Sequence, residues 1–350
     1  MKTPNRAILI DAYSQIFRVF YAIMHLSRKD GFPTNALFGF ARLLMQIEKE
    51  YDPTAGALFF DCGKPAFRLE LSPEYKSNRP PMPEELKKQM PLLRELAELF
   101  GWQVCQCKDY EADDLIGAAV KNISLDTAII SSDKDLSQLI DDHCVMFIPA
   151  RSGGGFEVRN REETLKKFAV TPAQIVDYLA LLGDSSDAIE GVPGIGPKTA
   201  ANILNECGSL ERFFAEPGLL KNEKLRTKLC ENQERIQRNI KLVSLRTQWP
   251  ENEIGKLGKW LEKRPPNWQK IAGFAAEYEL KSILKDIPKE FVKTPAEPVE
   301  AAAEKAETPA AADDLFSWSN AQTAAEAAPA KAEKSDKSDK SDAPFQGTLF

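Results

Sequence analysis

The run TAIISSDKD, residues 127–135, passes from an apolar, β-branched stretch through two serines into Asp133 and Asp135. AILID, residues 7–11, ends on Asp11 in the same way, and ALFFD, residues 57–61, ends on Asp61. A short apolar run closed by an acid reads as a buried strand with a carboxylate at its C-terminal end. In a parallel α/β sheet those ends share one edge, and ligands bind in the crevice outside it. Three distant segments therefore deliver acids to one place. YEADDLIGAAV adds Glu111, Asp113 and Asp114 at the start of an apolar-periodic helix, and LLGDSSD adds Asp184 and Asp187 at spacing i, i+3.

So many carboxylates raise one another's pKa, and such a cluster is tolerable only if it is solvated, protonated or neutralised by cations. An all-oxygen set without nearby His or Cys suits Mg²⁺ or Mn²⁺, which keep waters for phosphate. Two such ions clamp a phosphodiester during hydrolysis in nucleases and polymerases. Any single one of these acids reads equally well as a helix cap or turn residue. The coincidence of three strand ends, a helix start and a double-acid loop points to a metal cage.

A second motif follows, GVPGIGPKTAANIL, from Gly191 to Leu204. Its glycines and prolines predict a tight turn, Gly191, Gly194 and Gly196, running into a helix that starts near Lys198 and Thr199. Backbone amides at a helix N-terminus bind anions, and small residues let a nucleic-acid backbone approach without reading bases. Gly191 and Gly196 have the spacing of a nucleotide-binding P-loop, but Pro197 stands where that loop needs lysine. The stretch reads as a helix-hairpin-helix element.

Taken in order, LIDAYSQIFR, ALFFDCGKPAFR, YKSNRPPMPEEL, YEADDLIG, SSDKDLSQLI and LLGDSSDAIEGVPGIGPKTA resemble the 5′-3′ exonuclease and flap endonuclease family. That family includes the nuclease domain of bacterial DNA polymerase I, and the resemblance covers roughly residues 5 to 285. It implies an α/β, parallel-sheet, PIN-like (resolvase-like) nuclease domain over residues 1–170, with a flexible arch at about 70–100. A helical helix-hairpin-helix domain follows over 171–290. Asp11, Asp61, Glu111, Asp113, Asp114, Asp133 and Asp135 would line the metal site, with Asp184 and Asp187 reaching it from the second domain. Lys76 would contact the scissile phosphate, Tyr75 would stack on an unpaired base, Arg79 belongs to the same arch, and Arg18 adds a phosphate contact. Mg²⁺ or Mn²⁺, two ions, and a potassium ion at the hairpin turn are the implied cofactors. The implied substrate is DNA with a 5′ flap or a 5′ single-strand/duplex junction, with RNA primers a further candidate. One departure is visible: Ala188, Ile189 and Glu190 stand where the family commonly has Asn-Ile-Pro, which puts an extra negative charge beside the turn.

The 350 residues carry a net charge of −6, yet residues 294–350 alone hold eleven acids and five lysines. The rest is balanced, and apart from the nine cage acids it has a surplus of nine bases, with Lys198, Lys221, Lys224, Arg226 and Lys228 among the candidates for phosphate contact. The tail, rich in Ala, Pro, Ser and charge, predicts disorder. DDLFSW and the terminal Gln346, Leu349 and Phe350 interrupt it, and the latter resemble the peptide by which bacterial repair proteins bind the sliding clamp, although Gly347 replaces an apolar residue. No apolar run is long enough for a membrane span, no signal peptide is evident, and the six cysteines form no C-x-x-C pair. With only His25 and His143 present, zinc and histidine-based triads lack raw material. The expectation is a monomeric cytoplasmic bacterial nuclease without a following polymerase domain. A non-catalytic, clamp-tethered DNA-binding scaffold is the alternative, and a single-stranded RNase of the small acidic type is a third reading. RSGGGFEV, Arg151 to Val158, predicts a hairpin turn, and residues 209–245 read as one charged surface helix.

Overall fold

The structure, a computed structural model, describes residues 6–150 and 155–292. Strands β1 (Ala7–Asp11), β2 (Gly56–Phe59), β3 (Gln103–Cys105), β4 (Thr127–Ile130), β5 (Cys144–Pro149) and β6 (Phe156–Arg159) form one sheet in the order β3-β2-β1-β4-β5-β6. All neighbours run parallel except β6, which turns back on β5 as the expected hairpin. Residues 151–154 at its tip lie outside the described set. Strand order reverses direction between β1 and β4, which is where a crevice opens in such sheets. Register brings the ends level, with Asp11 opposite Phe59 and Ile10 opposite Ile130.

Helices α1 (Ala12–Ala22), α2 (Asn35–Tyr51), α3 (Ala66–Leu71), α4 (Glu84–Leu99), α5 (Ala112–Asn122) and α6 (Arg161–Phe168) accompany this sheet. Both faces are covered, so the strands are apolar throughout rather than alternating. Ile8, Ile10, Leu58, Ala128 and Ile130 face a core shared with α1, α2 and α4. Leu9, Ala57, Phe59 and Ile129 face a second core with α5. The segment expected to form an arch is correspondingly smaller than 70–100. Leu86, Leu93, Leu96 and Ala97 of α4 are buried in the sheet's core, leaving the irregular residues 72–83 to cross the site.

Helices α7 (Ile175–Leu182), α8 (Pro197–Cys207), α9 (Leu210–Ala215), α10 (Glu223–Glu231) and α11 (Gln233–Val243) build a separate core around α7. The single helix expected over 209–245 is thus three. Pro217 and Gly218 break it once, and Asn222 restarts the chain by capping α10 through Leu225 N at 3.2 Å. A further correction concerns the domain boundary. Helices α12 (Glu251–Ile254), α13 (Leu257–Trp260), α14 (Trp268–Glu277) and α15 (Lys281–Asp286) follow. Ile271, Phe274, Leu280 and Ile283 of this segment pack into the core of α2 and α4, so the stretch 257–287 returns to the first domain. Among the described residues no helix is long and apolar enough to cross a membrane.

A strap at 261–267 fastens this return. Lys263 is buried against Glu48 at 3.0 Å and over the Trp102 ring at 5.1 Å, and Arg264 N donates to Gly101 O at 2.9 Å. Gly101 sits at φ +80, and a Cβ there would collide with Arg264 O. Gly101→Ala is therefore expected to destabilise the fold by on the order of 3 kcal/mol. The check is a denaturant midpoint, and an unchanged one would show that the strap does not close on Gly101.

Candidate active site

The crevice acids fall into two sets that the sequence did not distinguish. Asp11 ends β1 and caps α1, its Oδ1 accepting from Ser14 N at 3.1 Å and its Oδ2 from Ser131 Oγ at 2.8 Å. Asp61, two residues beyond β2, accepts from Ala112 N at 2.7 Å and so ties that strand to the N-terminus of α5. Asp113 lies in the first turn of α5. Asp133 accepts from Asp135 N at 2.9 Å, and Asp135 opens a 3₁₀ turn, Asp135–Leu139. No basic side chain bonds to any of these five in a described ion pair.

Their mutual effect is electrostatic. Burial, then the charge of Asp61 and, less strongly, Asp133, push Asp11 up to about 7 from its ordinary 3.8, against the bonds from Ser14 and Ser131. Burial and then Asp133, Asp11 and Asp61 hold Asp113 well above the carboxylate range. Burial and then Asp133 do the same to Asp135, and burial leads the upward shifts of Asp61 and Asp133. Such groups share protons as a set. Asp135 Oδ1 is buried with no hydrogen-bond partner, an oxygen that the protein leaves for something else.

The other four acids are taken up by bases. Arg68 on α3 holds Asp114 through two bonds, 2.6 and 2.8 Å, and Glu111 Oε2 at 2.7 Å. Asp114 is fully buried and also accepts from Arg246 N at 3.1 Å. The expectation that Asp114 lines a metal site is corrected: both its oxygens are spent on the scaffold. Lys76 Nζ lies 2.6 Å from Glu111 Oε1, Arg79 pairs with Asp187, and Lys134 Nζ pairs with Asp184 at 2.8 Å. Burial works to raise Asp187, but Lys76 and Arg79 overcome it and hold the group below its ordinary range. Among the described residues no three His, Cys, Asp or Glu side chains stand close enough to hold a metal ion as they are. The nine-acid cage is thus a gathered but open set of five, flanked by four paired acids. Its all-oxygen chemistry, raised proton affinity and orphaned Asp135 Oδ1 fit hard divalent cations.

Within residues 72–79, Tyr75, Lys76 and Arg79 turn onto the acids, while Pro73, Glu74, Ser77 and Asn78 stay exposed. Tyr75 is 3% exposed, packs in the core of the helical domain, and donates its hydroxyl to Glu111 Oε2 at 2.9 Å. Its expected stacking on a base is not available in this arrangement. Lys76 takes a left-handed backbone, φ +54, and its N–H bonds to Asp187 O at 2.9 Å. Arg18, on α1, donates to Gln15 Oε1 at 3.3 Å and reaches none of the acids in a described bond. Arg68, Lys134 and Ser131 were missed by sequence reasoning. The signal for Arg68 was an arginine closing the quoted motif ALFFDCGKPAFR after Phe67, too slight to separate it from a surface position.

At the hairpin, Gly194 adopts φ +73 and is exposed with Pro193, Pro197 and Lys198, while Gly196 precedes α8 with open space around it. Gly191 serves packing, since a Cβ there would collide with Leu182 O. Thr199 is half-buried at the first turn of α8. The carbonyls of this turn face protein cations and amides. Lys228 Nζ donates to Pro193 O at 3.0 Å, Arg235 Nη1 donates to Gly191 O at 3.0 Å, and Ile195 N takes Val192 O at 3.1 Å. Two protein cations therefore hold carbonyls of this turn. Arg235 also stands 3.5 Å from Glu190, which offsets the extra charge noted in the sequence.

Comparisons with known proteins agree with this architecture. A family profile described as 5′-3′ exonuclease, N-terminal resolvase-like domain, matches residues 6–170, and one described as 5′-3′ exonuclease, C-terminal SAM fold, matches residues 170–260. The 5′-3′ exonuclease of Aquifex aeolicus is 35% identical over 286 residues, covering 81% of this chain and 95% of that protein. DNA polymerase I of Bacillus caldotenax is 38% identical over 249 residues, 70% of this chain but only 28% of the polymerase. Among solved structures, the bacteriophage T5 flap endonuclease complex with DNA and metal ions superposes with a TM-score of 0.58 at 23% identity, covering 83% of this chain and 100% of that one. The catalytic core of Rad2 with DNA substrate gives 0.54 at 16%, covering 81% and 92%. These structural likenesses show the fold. Together with the matched profiles and the Aquifex relative, they establish that the chain belongs to the 5′-3′ exonuclease family, a resolvase-like domain followed by a helical SAM-like one.

Proposed function

We propose that this protein is a divalent-metal-dependent 5′-3′ exonuclease and 5′-flap endonuclease, hydrolysing phosphodiesters near single-strand/duplex junctions during DNA replication and repair. The observation that carries this reading is the convergence of Asp11, Asp61, Asp113, Asp133 and Asp135 from separate elements, in no described ion pair, and raised first by burial and then by neighbouring carboxylates. They would hold Mg²⁺ or Mn²⁺, with Asp184 and Asp187 supplementing them from the helical domain. Ions bound there supply Lewis acidity and neutralise the charge of a phosphodiester under attack. Lys76 and Arg79 would leave Glu111 and Asp187 to orient the phosphate, and the Gly194 and Gly196 amides with Lys198 would grip the duplex backbone. The DNA-bound relatives and the family support this substrate class. The reading extends to RNA-primed 5′ ends, to action as a cytoplasmic monomer, and to sliding-clamp capture by Gln346, Leu349 and Phe350, which lie outside the described residues, as does DDLFSW.

The direct test is cleavage of a 5′-labelled flap duplex with Mg²⁺, with chelator, and by Asp133→Ala protein. Wild type with Mg²⁺ should release a short labelled product, chelator should abolish it, and Asp133→Ala should lose roughly 100-fold or more, a barrier increase of about 2.7 kcal/mol. Tight binding without cleavage would favour the scaffold instead.

The raised acids carry a second expectation. Asp11 near 7 means that the metal-free native state holds protons which the unfolded chain has released above about 4, so stability falls as pH rises through that window. Asp187 has the opposite sign, and its contribution is lost only below its ordinary range. Asp113→Asn removes one buried charge and no described hydrogen bond. In chelator at about pH 7.5 it should melt higher than wild type, by about 2–4 °C per kcal/mol relieved, with the gap narrowing toward about pH 5. A gap that widened on acidification would contradict the assignment.

A further inference from the structure

Arg68 is 2% exposed, and each of its five N–H donors has an acceptor. Three bonds go to the start of α5, to Glu111 and both oxygens of Asp114. The other two cross to the end of α11, Nε to Leu242 O at 3.0 Å and Nη2 to Ser244 O at 3.3 Å. One planar guanidinium thus joins the catalytic sheet's helix to the helical domain. Asp114 adds a bond in the same direction, accepting from Arg246 N at 3.1 Å.

The connection continues without slack to the duplex-binding turn. On α11, fully buried Asn239 donates to Ala180 O at 3.0 Å and to Glu190 O at 2.8 Å, the two sides of the loop that carries Asp184 and Asp187. Arg235 of the same helix holds Gly191 O. Helix α11 is therefore a rod with Arg68 at one end and the hairpin at the other. Its position fixes how far the turn that grips the duplex stands from the five free acids.

We propose that Arg68 is a positioning residue that sets the register of cleavage, the nucleotide at which the strand is cut relative to the duplex junction. This rests on the nuclease reading above. Arginine is required because a lysine carries the charge but cannot span two carboxylates and two carbonyls from one plane. In Arg68→Lys the carboxylates keep a counter-ion, while α11 loses its fixed distance from α5.

The experiment compares wild type, Arg68→Lys and Asp114→Asn on one 5′-labelled flap substrate, with products resolved to single nucleotides and kcat and KM measured separately. Wild type should give one dominant cut. Arg68→Lys should spread cleavage over neighbouring positions, with kcat lowered roughly 10- to 100-fold by misalignment and KM within a few-fold. A variant that is merely less stable would cut at the wild-type position with less active protein. Cleavage by folded Arg68→Lys at the single wild-type position overturns the proposal. Should Arg68→Lys fail to fold, as judged by circular dichroism, the isosteric Asp114→Asn decides by the same readout: a shifted or spread cut supports it, an unmoved cut overturns it. A wild type that cuts nothing overturns the nuclease reading and this inference with it, whereas a cutting wild type with an unmoved variant overturns only the latter.

Discussion

Repulsion among carboxylates at one sheet edge is the constraint around which this molecule is organised. Nine acids enter a region where burial alone makes ionisation costly. Were all nine left unpaired, the edge would be strongly destabilising, and were all nine paired, nothing would remain to draw in cations. The chain divides them. Arg68, Lys76, Arg79 and Lys134 take Glu111, Asp114, Asp184 and Asp187, and the remaining five press on one another with their proton affinities raised. A stability deficit is thereby confined to the five acids proposed to hold the metal ions, the usual relation between stability and function at active sites.

The same division explains how two domains with separate cores meet at one site. The paired acids are those at the seam. Asp114 and Glu111 face the end of α11 through Arg68, and Asp187 faces residues 75–79, whose Tyr75 packs in the helical core. Breaking a buried pair of this kind by removing one partner leaves an uncompensated charge, so the pairs specify alignment more than they add net stability. At the far end of α11 the hairpin uses the same economy. Lys228 and Arg235 hold its carbonyls, and its exposed face carries Gly194 and Lys198.

Much of this could be read from the sequence, and the limits follow from physics. Strand ends at Asp11, Asp61 and Asp133 were readable because an apolar run closed by an acid has few other meanings in a parallel sheet. The turn at 191–196 was readable because Gly194 needs a positive φ and Gly191 tolerates no Cβ. The partner of each acid was not. Arg68 and Lys134 lie near their acids only in the fold, and a lone base in a helix or loop looks like a surface charge. Tyr75 misled for the same reason: YKSNRPPMP is polar and irregular, and nothing local says that a segment from another domain will cover its ring. The return of 257–287 to the first core was likewise invisible, since amphipathic helices do not declare which apolar face they will meet.

On the proposed reading, Lys76 is where the paired acids would matter to the reaction as well as to the scaffold. Its ammonium sits between Glu111 at 2.6 Å and Asp187 at 3.9 Å, on a backbone held at φ +54 by the bond to Asp187 O. Burial works against its charge, yet Glu111 and Asp187 keep it above the ordinary lysine range. A cation stored in this way needs no proton uptake before it meets a phosphate, and what it leaves behind, Glu111, still has Arg68 and the Tyr75 hydroxyl. On the proposed reading Lys76 would exchange Glu111 for phosphate, and Glu111 would keep the Arg68 guanidinium and the Tyr75 hydroxyl on its other oxygen.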